Sequence, residues 1–172
     1  MENTLVKEPA LATVLKEVGW HRDDAVVSPD ESFQSLSAST CRFFTAHHRH
    51  IPGAGVVLFV TDGEGNLRAR TGDMDGLAQV LRACLPQDAS AQLWADLVAS
   101  FSQMRPPTVI EPQNKLGQAG IPAGQYHPPQ KREESDQTQI EFFAIAHDLR
   151  RVHIKAVLPA SGPVRIEMLP LN

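Results

Sequence analysis

An α+β fold, with helices packed on an antiparallel sheet of about five strands, is what this sequence predicts. Three observations carry the expectation. Apolar residues at several places before residue 105 recur at helical spacing, residues 56–70 read as two short strands around a Gly-containing turn, and residues 152–168 alternate apolar and polar side chains. With 172 residues the chain fits one domain spanning 1–172 and is long enough to bury a core.

The first helix is expected over Ala10–Val18, where Leu11, Val14, Leu15 and Val18 share one face, Pro9 suits the start and Gly19 the stop. A second helix is expected from "SPDE" at residues 28–31, with Ser28 as N-cap, Pro29 in the first turn and Glu31 closing a capping box. Phe33, Leu36, Thr40, Phe43 and Phe44 would form its apolar stripe, and Pro52 would end it near His48–His50. The period then changes. "GVVLFVTDGEGNLRART" reads as a β-hairpin whose first strand, Val56–Val60, is apolar throughout and so central in its sheet. Asp73 can cap a third helix carrying Leu77, Val80, Leu81 and Cys84. Asp88 can cap a fourth carrying Leu93, Leu97, Phe101 and Met104.

Residues 106–137 differ in kind, with six prolines, three glycines and five glutamines and no periodicity. Such a stretch reads as a long loop or arm within the domain. Three strands follow, "QIEFFAIA", "VHIKAVL" and "VRIEML", the last two alternating so that His153, Lys155, Arg165 and Glu167 oppose the apolar face. The resulting β-β-α-α-β-β-β core resembles profilin-like, roadblock-type and GAF-like regulatory domains in the order of its elements. The likeness is of topology alone, and fold order does not carry function.

Charge and processing signals narrow the function classes. A net charge of −4 offers no global field for nucleic acid or anionic lipid. The N-terminus lacks a basic segment followed by an apolar one, and Val56–Val60 is far too short to span a bilayer, so no membrane association and a cytoplasmic location are expected. Cys41 and Cys84 form neither a disulfide framework nor a CxxC. Cys84 reads as core, and Cys41, in mid-helix, lacks the helix N-terminus that commonly activates a thiol. Glycines at 53–55 and 63–65 match no phosphate-binding pattern.

The most suggestive residues are the histidines of "TAHHRHIPGAG". His47 and His50, with His127 carried in on the loop, could supply three metal ligands, but no HExxH or CxxC accompanies them. The alternative is that His48, Arg49 and His50 complement the negative end of the second helix. In "HDLRRVHIK", Arg150, Arg151 and Lys155 make a basic edge that could take a phosphate or an acidic partner, or merely protect a sheet edge. Tyr126, the sole tyrosine, stands beside His127 in the Pro-rich arm, a composition typical of partner recognition.

Together these point to a non-enzymatic protein-binding or regulatory module, self-associating as a homodimer or bound to another protein, with 106–137 as its recognition segment and no cofactor. Two other classes stay open: a small metal-dependent enzyme using His47, His50 and His127, and a nucleic-acid accessory protein using the Arg150–Lys155 edge.

Overall fold

A computed structural model describes residues 6–34 and 40–171. Its helices and antiparallel strands give the α+β class that the sequence indicates. Among the described residues nine strands divide between two sheets, one of four strands and one of five. Contacts fall into two compact units, Met1–Gln87 and Asp88–Asn172, where the sequence reads as one domain. Among the described residues no helix is long and apolar enough to cross a membrane.

In the first unit α1 (Glu8–Val18) buries Ala10, Leu11, Val14 and Leu15 and stops at Gly19. That glycine takes a left-handed φ of 71°, which lets the Trp20 amide reach back to the Leu15 carbonyl at 3.0 Å. The sheet runs β1 (Ala25–Pro29), β2 (Arg42–His48), β3 (Val56–Thr61), β4 (Leu67–Arg70) in that order, each pair antiparallel. As expected, β3 is interior, and Val57–Thr61 are buried without a break. The β3–β4 turn is set by Asp62, whose carboxylate accepts from the Glu64 and Asn66 amides, each at 2.9 Å. Helix α3 (Met74–Ala83) starts at the expected cap, Asp73 accepting from the Gly76 amide at 2.9 Å.

The long second helix does not form. Ser28 and Pro29 end β1, and Asp30 rather than Ser28 caps the single turn α2 (Glu31–Gln34), accepting from Ser32 N at 2.9 Å and Phe33 N at 3.3 Å. A capped turn is costly to propagate unless its residues have nothing better to pair with. Residues 42–48 do: they form ladders with β1 on one side and β3 on the other, burying Phe43, Phe44 and Ala46. Leu36, counted in the helical stripe, lies outside the described residues.

The cysteines also need correction. Cys41, just ahead of β2, and Cys84, capping the C-terminal end of α3, form a disulfide across a sequence separation of 43. Both are buried, as two small hydrophobes would be, and α3 packs against β4 of the same sheet.

The second unit opens with α4 (Ala91–Ser102), capped by Ser90 rather than Asp88, since Ser90 Oγ accepts from the Leu93 amide at 3.2 Å. The 106–137 stretch contains β5 (Thr108–Val109), α5 (Lys115–Gln118) and β6 (Gln130–Glu133). The meander β7 (Gln137–Ile145), β8 (Arg151–Pro159), β9 (Arg165–Pro170) completes the sheet, with β5 and β6 both pairing along β7. Helix α4 lies against β5, β6 and β7. Ile140, Phe142, Ala144, Val152, Ile154, Ala156 and Leu158 are buried on one face, the alternation expected of a half-buried sheet.

Candidate metal centre and the polar sheet face

The opposite face of the second sheet gathers the polar and charged side chains. Strand pairing aligns Glu141 with Lys155 and Glu167, Phe143 with His153 and Leu169, and Gln139 with Arg132, Val157 and Arg165. At one end a small second core of Ile110, Ile121 and Phe143 seats the segment between β5 and β6. Tyr126, partly buried, packs against this core. Its ring lies tilted on Phe143 at 5.8 Å, and its hydroxyl donates to the Ile110 carbonyl at 2.9 Å. Burial, then the nearby Glu111, raises its pKa, so the phenol stays a donor.

That anchoring delivers His127 to the sheet. His127, Glu141 and His153 each offer a ligand atom, all within 4.8 Å of one another. His153 Nε2 lies 2.9 Å from Glu141 Oε1, yet this buried nitrogen makes no well-directed hydrogen bond. Phe143 stacks on the His153 ring at 4.6 Å and 15°, and meets the His127 ring edge-on at 5.0 Å. His127 Nδ1 is 2.8 Å from the Pro128 carbonyl. A carbonyl only accepts, so Nδ1 is the donor in this contact, and in the neutral ring that leaves the lone pair on Nε2. Burial lowers the His153 pKa; Glu141 opposes that shift, while Lys155 and His127 add to it. Lys155 Nζ stands 3.7 Å from the same Glu141 oxygen. Two imidazoles and a carboxylate can hold a divalent cation with one position open, or pass a proton along the Glu141–His153 pair.

Beside this cluster a groove of about 360 Å³ crosses β6–β9, lined by Arg132, Gln139, Glu141, Lys155, Arg165 and Glu167 among others. It is open and of mixed charge.

The other candidate residues fall elsewhere. His47 and His48 end a strand, so no helix dipole explains them; His48 meets the Trp20 ring edge-on at 5.5 Å, and His50 Nε2 is 3.9 Å from Asp24. Among the described residues His47, His48 and His50 join no group of three metal-ligating side chains, with His127 or otherwise. Arg150 pairs with Asp148 at 2.6 Å. Arg151 donates to the carbonyls of Leu149, Leu116 and Gly117 at 3.0–3.2 Å, clamping α5 to the sheet. Both arginines of the basic edge are thus engaged within the fold.

Glu141 is the member of this cluster that the sequence reading did not single out. The available signal was the outward phase of His153 and Lys155, which register places against Phe143 and Glu141. No protein-family model, no curated protein and no solved structure matches the chain.

Proposed function

We propose that the chain is a non-enzymatic binding module that pairs strand to strand with another polypeptide, a second copy of itself in the first instance. The single observation behind this is the free edge of β9. Among the described residues β9 pairs only with β8, and five of its six residues are exposed. The Leu171 amide donates to the Arg151 carbonyl at 3.0 Å. Antiparallel ladders alternate, so Leu169, Glu167 and Arg165 also point their backbone inward, leaving the amides and carbonyls of Ile166 and Met168 outward. Unpaired outward groups are a template for strand addition.

Self-pairing has a favoured register. A two-fold axis at Ile166 sets Arg165 against Glu167 of the partner subunit, twice, at the non-hydrogen-bonded positions where side chains approach most closely. A shift to an axis at Glu167 would oppose two carboxylates. Sedimentation equilibrium is the test. The wild type should dimerise with concentration. Ile166→Pro, which deletes an outward amide, should abolish dimerisation, and Glu167→Arg should weaken it. Arg165→Glu combined with Glu167→Arg should restore it. A monomer at every accessible concentration, or a dimer indifferent to all three, refutes the reading.

The disulfide bears on location as well. Cytoplasmic thiols are kept reduced, so the Cys41–Cys84 bond favours an oxidising compartment over the cytoplasm.

A further inference from the structure

We propose that His127, Glu141 and His153 form a binding site for a zinc-class divalent cation, tying the segment before β6 to the outer face of the sheet. Three features converge. First, the donor set is right: two imidazoles and one carboxylate suit zinc and its neighbours, whereas calcium and magnesium call for oxygen donors. Second, the three ligand atoms already lie within 4.8 Å of one another, and His153 Nε2 approaches Glu141 Oε1 to 2.9 Å. Third, His153 Nε2 is buried and lacks a directed hydrogen bond. A buried imidazole nitrogen 2.9 Å from a carboxylate oxygen, with a second imidazole beside both, is a place for a cation.

The surroundings act as an outer shell. Pro128 accepts from His127 Nδ1 and fixes the tautomer that leaves Nε2 open, the arrangement metal-bound histidines normally show. Phe143 touches both imidazoles, through a stack on His153 and an edge contact with His127, restricting their rotation before any ion arrives. One group works against the site. Lys155 Nζ, 3.7 Å from Glu141 Oε1, is a resident cation that zinc must displace. Its side chain is about half exposed, so it can swing into solvent.

Lys155 makes the proposal unusually testable, because removing it should improve binding rather than damage the fold. The probe is zinc alone, titrated into the full chain against a chromophoric chelator, with cobalt(II) absorption to report the ligand set. The wild type should bind one equivalent. His127→Gln and His153→Gln should each weaken binding by roughly 10–100-fold or more, the scale at which even outer-shell losses register. Lys155→Met should tighten it. The His47→Ala/His50→Ala double variant should leave it unchanged. No stoichiometric zinc on folded wild type, binding indifferent to His153→Gln and Lys155→Met, or binding lost in the His47/His50 variant would each overturn the assignment. Should His153→Gln fail to fold, His127→Gln and Lys155→Met still decide. The dimer reading rests on β9 backbone groups, so either can fail alone.

Discussion

Asp96 shows how one residue can weigh against its own fold. It stands on α4 with Oδ1 3.0 Å from Gln92 Nε2. Burial raises its pKa above 3.8, the Gln92 bond opposes that shift, and Glu111 reinforces it. An acid whose folded pKa exceeds its unfolded one binds its proton more tightly when folded. Stability contributed by this group is therefore full below pH 3.8 and is lost as pH rises through the folded value. Asp96→Asn should melt above wild type at neutral pH, and the gap should close on acidification below the carboxyl range. A pH series of thermal melts on both proteins checks the sign. His153 and Glu141 carry a related lesson about legibility. They are twelve positions apart on neighbouring strands, and only the β7–β8 register makes them neighbours. His127 comes to them through the contacts of Tyr126 with Ile110 and Phe143, side-chain packing that no spacing rule encodes.

Elements governed by local signals were readable in the sequence. The β3–β4 hairpin, the Asp73 cap, the Gly19 stop and the alternation of β8 all form where the residues indicate. Where local and long-range preferences compete, the local reading fails. Ser28–Glu31 has every mark of a long helix start, yet pairing of Arg42–His48 with two strands wins. Arg151, which the sequence left open between an anion-binding edge and edge protection, acts as a brace, its guanidinium shared among three carbonyls of α5 and the β7–β8 turn. Arg151→Met should cost the second unit about 2 kcal/mol, measured by urea denaturation. Arg151→Lys should not recover it, because an ammonium lacks the planar fork that serves several acceptors. Equal stability of lysine and wild type would show that charge alone matters. The brace also holds Leu116 and Leu149, 84% and 73% exposed, on either side of one guanidinium.

For the molecule as a whole, the Cys41–Cys84 bond is a covalent constraint on the first unit. Closing a separation of 43 residues limits the unfolded chain by about 4 kcal/mol in the loop-entropy estimate. The Cys41→Ala/Cys84→Ala double variant should lose about 2–4 kcal/mol by denaturant titration. Reduced wild type should match it, and a reduced protein as stable as the oxidised one would contradict the loop-entropy account. The closed segment contains β2, β3, β4 and α3, while α1 and β1 lie outside it. Under a stretching force this divides the unit into two mechanical parts. Tension applied to the ends can peel α1 and β1 away, but it bypasses everything inside the ring. Some 150 Å of contour stays hidden from the load until a reductant opens it. The bond thus sets how far the unit can extend, and the redox state of the surroundings sets the length of the tether.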